Sequence, residues 1–198
     1  MRGIAEDLIS LRFIRKLKRA DRDEVIKARM MITVADVVGK QRAFFKRNRP
    51  FQPIVRRSFP DSEIARMKDR LTTIGQTSRM WNTARKLPPV EQMAARVNLK
   101  QFYEFIYAAT SELVHFNVRI ALRSGWGKSP EAVVFSTKNF APYYLEFSQF
   151  FSVYMLIRFC RSFRRDLGLS PKLMQGMAEM QTVLNDRLRW PEAVTFEE

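Results

Sequence analysis

Apolar residues in this chain recur at steps of three and four, and no period-two alternation of useful length appears anywhere. That pattern predicts helices and argues against a substantial sheet. Ile4, Leu8, Leu11, Ile14 and Leu17 trace one face of a first helix over 4–20, with Arg12, Arg15, Lys16 and Arg19 on its other faces. A second helix, capped by Asp21 or Asp23, is expected to run to Lys46. Gly39 marks a point where it could kink or break, at a cost of about 1 kcal/mol relative to alanine. Ile64, Met67, Leu71 and Ile74 place a third helix after Asp61 or Ser62.

The punctuation between helices is equally legible. "KRNRPFQPIVRRSFPDS" at 46–62 reads as a linker, with prolines at 50, 53 and 60. Pro88 and Pro89 suit the start of a short helix, "VEQMAARV", and Asn98 leads into a long helix over about 99–123. "SGWGKSP" ends it, with Gly125 as the expected left-handed cap and Gly127 and Pro130 preventing resumption. A helix over 140–166 carries Tyr144, Phe147, Phe150, Phe151 and Tyr154 and stops at Gly168. Ser170 and Pro171 open a last helix. The prediction is all-α, a single helical-bundle domain of about six or seven helices over 1–190, with 191–198 as a C-terminal tail.

Composition is that of a globular chain, with 46% hydrophobic and 28% charged residues over 198 positions. Sixteen Phe and ten Met predict a bulky core. The apolar run "FFSVYMLI" is too short for a membrane span and ends at Arg158. "MRGIAEDLIS" has acids where a secretory signal needs an apolar core, and the one cysteine, Cys160, has no partner in the chain. A cytoplasmic, reducing setting is the expectation.

Net charge changes the picture. It is +15, and residues 1–60 carry 16 basic against six acidic side chains, while residues 128–198 carry nine against eight. The positive field belongs to the first third and favours nucleic acid, anionic lipid or an acidic protein. It peaks between Lys40 and Arg57, where Lys40, Arg42, Lys46, Arg47, Arg49, Arg56 and Arg57 meet no acid. Phe44, Phe45 and Phe51 are interleaved, with Phe59 just beyond. Cations supply phosphate contacts and aromatic rings a stacking surface for unpaired bases. The same composition suits an acidic protein partner, or a solvated loop with its phenylalanines turned inward. Arg158, Arg161, Arg164 and Arg165 form a second basic cluster.

Several chemistries lack their residues. One His and one Cys exclude a His/Cys metal site, and no cofactor is implied. "GWGKSP" contains Gly-Lys-Ser, but Leu122 stands where a phosphate loop requires glycine. The Arg-x4-6-His motif of one class of helical ribonucleases is also absent, since the nearest arginine before His115 is Arg96. What remains is the long helix, where Tyr103, Tyr107, Ser111 and His115 fall four apart and Arg119 extends the series. Steps of four stack side chains on one slowly drifting stripe. His115 could serve there as a general base, with Ser111, Tyr107 and Glu6 as catalytic candidates. The plainer reading has the rings packing while their polar tips find partners on neighbouring helices. No third carboxylate is spaced to orient a Ser111–His115 pair.

These residues carry a resemblance. "RGIAEDLISLRFI", with Arg2 and Glu6 as an R-x-x-x-E pair, and "QMAARVNLKQFYEFIYAATSELVHFN" are similar to an uncharacterised family of helical bacterial proteins. Its Y-x-x-x-Y-x-x-x-S-x-x-x-H core is matched by Tyr103, Tyr107, Ser111 and His115, and "RWPEAVTFEE" resembles its C-terminal end. The family has helices before the R-x-x-x-E helix, whereas this chain starts just ahead of it, so part of an apolar face is expected to need cover, as from a second copy. The resemblance implies an all-α fold and a bacterial or phage-related origin, with no established reaction. It also implies one buried polar cluster of Arg2, Glu6, Tyr103, Tyr107, Ser111 and His115 that fastens the first helix to the long one.

The expectation is therefore a basic helical protein binding nucleic acid, in a bacterial defence or mobile-element setting. The alternative is a non-enzymatic, self-associating scaffold, an oligomer built on "FSQFFSVYMLI", or an adaptor for an acidic partner. A hydrolase or nuclease using His115 is the third reading.

Overall fold

A computed structural model describes residues 1–48, 59–81, 87–114, 125–126, 132–136, 138–186 and 188–192. Among them stand seven helices: α1 (Arg2–Arg15), α2 (Arg19–Asn48), α3 (Asp61–Ser78), α4 (Val90–Arg96), α5 (Lys100–Val114), α6 (Ala141–Ser162) and α7 (Pro171–Asp186). The fold is all-α, as the periodicity predicts. A two-residue antiparallel pairing joins β1 (Gly125–Trp126) to β2 (Val134–Phe135).

The helix ends follow local chemistry. The Lys16 and Leu17 amides close α1 by donating hydrogen bonds to the Phe13 and Ile14 carbonyls. α2 begins at Arg19, ahead of the expected Asp21 or Asp23 cap, and the Asp21 and Arg22 amides donate to the Lys18 carbonyl. Asp21 instead lies inside the first turn, near the positive end of the helix dipole. Gly39 does not break it; the helix runs on for 30 residues, because Gly39 is exposed and its neighbours supply the packing. Arg79 ends α3 in the left-handed conformation, its amide bonded to the Gln76 carbonyl. The Ser170 hydroxyl accepts from the Leu173 amide at 3.3 Å, and Pro171 fills the first turn of α7. Gly168, at φ 60°, stops the segment after α6 where the sequence places a stop.

Gly125 corrects an expectation. It is not a left-handed cap; it pairs with Phe135 in the strand ladder. A Cβ there would stand 2.6 Å from the Phe135 ring, so glycine is present for close approach.

The chain divides into two compact units, Met1–Ser10 with Ala94–Glu198, and Leu11–Met93. In the Leu11–Met93 unit α2 packs against α3, burying Val25, Ala28, Met31 and Val38 from one and Ile64, Leu71 and Ile74 from the other. Phe13 and Trp81 stack there at 5.8 Å. Of the row expected on α1, Leu8, Ile14 and Leu17 are buried, Leu11 is half-buried and Ile4 is exposed, while Ile9 and Phe13 are buried beside it.

The core of the other unit is aromatic. Ala5, Ile106, Phe147, Phe150, Phe151, Tyr154, Met155, Ile157 and Leu184 form one buried cluster. Phe151 sits at its centre, with ring centroids 4.6 Å from Phe147, 5.2 Å from Phe150 and 5.3 Å from Phe105. Burying each such side chain contributes about 1.5–3 kcal/mol. The "FSQFFSVYMLI" helix is therefore largely spent on its own core, and only Leu156 of that run is left as a large exposed apolar residue. Aromatic residues at helical spacing serve cores and interfaces alike, and here packing against α5 and α7 takes them.

Candidate functional site

Arg2 and Glu6 lie one turn apart on α1, and the Arg2 Nε donates to Glu6 Oε1 at 2.8 Å. The same guanidinium rests 4.4 Å from the centre of the Tyr107 ring on α5. Tyr107 in turn packs against Tyr103 at 5.6 Å. Four members of the expected cluster thus meet, through an ion pair, a cation–π contact and a ring contact. The hydrogen bond to Glu6 holds the Arg2 pKa above its already high ordinary value, against a partial loss of hydration.

The cluster is half-exposed rather than buried. The Arg2 and Glu6 side chains keep 35% and 31% of their exposure, and Tyr107 is exposed. Side chains at the start of α1 reach α5 over its outer surface, where Ala5 alone of that turn enters the core. Ser111, one turn beyond Tyr107, has a buried hydroxyl oxygen that finds no hydrogen-bond partner among the described residues. His115 and Arg119 lie outside the described residues. Glu6, the carboxylate proposed to work with His115, is committed to Arg2.

The basic stretch is divided in the same way. Lys40, Arg42, Lys46 and Arg47 occupy the last turns of α2, whereas Arg49, Arg56 and Arg57 lie outside the described residues. Lys40, Lys46 and Arg47 are exposed and Arg42 half-buried. Lys40 Nζ bonds Asp36 at 2.8 Å, an exposed pair one turn apart. Phe44 is 60% exposed, its ring edge-on to Phe45 at 5.8 Å, and shares its helix face with Lys40 one turn before and Arg47 one turn after. The phenylalanines therefore do not both turn inward.

Two features have no counterpart in the sequence reading. Ile26, Met30, Val37 and Phe44 form an exposed apolar row on α2, at steps of four, seven and seven, beside the buried row of Val25, Ala28, Met31 and Val38. Its signal was present, since α2 has more apolar residues than one face can bury. In the other unit Phe102, Tyr154, Arg158 and Trp190 come from three separated stretches to line one cleft. No local pattern announces that meeting. Of the second basic cluster, Arg161, Arg164 and Arg165 are exposed and Arg158 is half-buried. The Arg161 guanidinium donates to Gln181 on α7.

Among the described residues no group of three or more His, Cys, Asp or Glu side chains is placed to hold a metal ion. No helix among them is long and apolar enough to cross a membrane.

A family model described as a family of unknown function, DUF5677, matches residues 1–131, and the chain belongs to that family. The match includes both the R-x-x-x-E helix and the Tyr103–Tyr107–Ser111–His115 series, while "RWPEAVTFEE" falls beyond it. No curated protein and no solved structure matches the chain.

Proposed function

We propose that this member of the DUF5677 family binds nucleic acid, and unpaired strands in preference to duplex, through the C-terminal end of α2. The observation that supports the reading is the exposure of Phe44 on the helix face it shares with Lys40 and Arg47. A phenyl ring left in water costs free energy unless something covers it, and cations beside it favour an anionic cover. A base stacked on Phe44, with flanking phosphates on the lysines and arginines, satisfies both. The type of family suggests a bacterial, cytoplasmic setting in defence or mobile elements.

Binding to labelled single- and double-stranded DNA and RNA across a salt series tests this, with the same samples watched for cleavage. Affinity for single strands is expected to fall with salt, by a slope of about 0.7 per phosphate neutralised. Replacing Lys40 and Arg47 with alanine removes two such contacts and lowers that slope by about 1.4. Phe44→Ala is expected to cost about 1–3 kcal/mol on single strands and little on duplex. Affinity indifferent to salt, or to the loss of Phe44, refutes the reading. Cleavage that disappears in His115→Ala would revive the hydrolase reading.

A second reading has its own observation. The exposed row Ile26, Met30, Val37 and Phe44 suits a self-associating scaffold built on α2 in place of the aromatic helix. The two readings compete for Phe44. A concentration-independent monomer removes the scaffold.

A further inference from the structure

The cleft in the other unit carries a separate inference, which does not depend on α2. Its volume is about 1030 Å³, and it opens between the start of α5, the middle of α6 and the segment Arg189–Glu192 that follows α7. Pockets of about 300–1,000 Å³ hold small organic ligands, so space is not limiting.

One wall is aromatic and fixed in place. Tyr154 is buried, with Phe102 5.7 Å and Trp190 4.9 Å from its ring centre. The Trp190 indole N–H donates to the Leu184 carbonyl at 2.9 Å, which anchors the ring to the end of α7. With its one polar group engaged, Trp190 has only apolar surface to present. The residue as a whole is 36% exposed.

The charges in the cleft are not equivalent. Lys100 pairs with Glu104 at 3.4 Å, and Arg189 with Glu192 at 2.8 Å. Arg158 is half-buried, and its guanidinium lies 4.9 Å from the Tyr154 ring centre and 6.0 Å from that of Phe102. Among the described residues no carboxylate pairs with it. Rings attract the face of a guanidinium and leave its in-plane N–H donors unspent. A planar donor fork against an aromatic wall matches a ligand with an anionic group and a flat ring.

We propose that this cleft binds a nucleotide, with phosphate on Arg158 and the base against Trp190 and Phe102. A bare anion would leave the aromatic wall wet, and an apolar ligand would bury Arg158 without a partner. Phosphate presents several oxygens to the guanidinium fork, which makes it a better match than a single alkoxide or phenolate. The amide of Asn98, held at φ 57° just before α5, adds a donor and an acceptor at the cleft lining for a base edge. The nucleotide comes either free or as one unit of a strand.

Calorimetric titration of the full chain tests the proposal. The probes are the four ribonucleoside monophosphates, adenosine, inorganic phosphate and a short 5′-phosphorylated oligonucleotide. At least one monophosphate is expected to bind, about tenfold or more tighter than adenosine or phosphate alone, with Arg158→Gln reducing affinity about tenfold or more. Trp190→Phe keeps an aromatic wall and so keeps binding, while any ligand-induced change in tryptophan fluorescence is lost. Circular dichroism shows whether each variant is folded, and Arg158→Lys, which keeps the charge without the fork, is expected to bind at an intermediate level. Binding of the oligonucleotide alone, weakened by Arg158→Gln and unaffected by Phe44→Ala, assigns the site to a strand. No monophosphate binding together with oligonucleotide binding indifferent to Arg158→Gln overturns the proposal. So does inorganic phosphate binding as tightly as the nucleotides.

Discussion

Two glycines stand inside helices of the Leu11–Met93 unit, and the structure sends their replacement by alanine in opposite directions. Gly39 is exposed in the middle of α2, and a Cβ built there meets nothing within 4 Å. Gly75 is buried in α3, and a Cβ there would fall onto the five-membered ring of the Trp81 indole. Alanine is favoured over glycine in a helix interior by about 0.8–1 kcal/mol, so Gly39→Ala is expected to stabilise the unit by nearly that amount. At Gly75 the same gain meets the cost of displacing Trp81, which is 5% exposed and packed on Phe13. Overpacking of this kind costs about 1–3 kcal/mol. Because the helix-propensity gain is common to both sites, it cancels, and the two variants should differ by about 1–3 kcal/mol. Urea unfolding measures it, and a shared slope for the two variants shows that the same transition is read. In a Trp81→Phe background the smaller ring makes room, so Gly75→Ala should lose most of its penalty. Equal midpoints for Gly39→Ala and Gly75→Ala in the native background would refute the placement of Trp81 against α3.

Three further outcomes follow from single contacts. Arg70 hydrogen-bonds Glu24 and holds its carboxyl below the ordinary carboxylate range. A depressed carboxyl contributes stability above its unfolded value and loses it as pH falls through the folded one, so Arg70→Ala should reduce the acid-side dependence of stability on pH, an effect that added salt diminishes because both side chains are about half exposed. Ser170→Ala removes the hydroxyl at the start of α7 and should cost about 1 kcal/mol, seen as faster hydrogen exchange at the Leu173 amide. Phe151→Ala empties the centre of the aromatic core and should cost about 3–5 kcal/mol in a thermal melt.

The glycines also show how unevenly a sequence speaks. Gly168 could be placed as a stop because a left-handed residue after a helical run is a local requirement. Gly75 and Gly125 could not, because their reason is a ring from elsewhere in the chain, Trp81 in one case and Phe135 in the other. Arg2 and Glu6 were readable as a pair, since one helical turn separates them, but their half-exposure depends on how α1 lies on α5. Lys40, Lys46 and Arg47 announce a basic helix end, whereas the outward turn of Phe44 depends on which face of α2 meets α3.

Periodicity, prolines and caps determined by themselves that this chain is helical and where most of its helices begin and end, because those choices rest on backbone bonds and neighbours within a few residues. The charge gradient, too, is a property of the sequence alone. Tertiary structure decided which aromatic residues are core, since the row on α6 could equally have been an interface until α5 and α7 covered it. It also decided that Arg158, alone of the arginines in its cluster, faces Phe102 and Tyr154 in a cleft beside Trp190. Such a meeting joins residues from separate elements, and its energy exists only once those elements have packed.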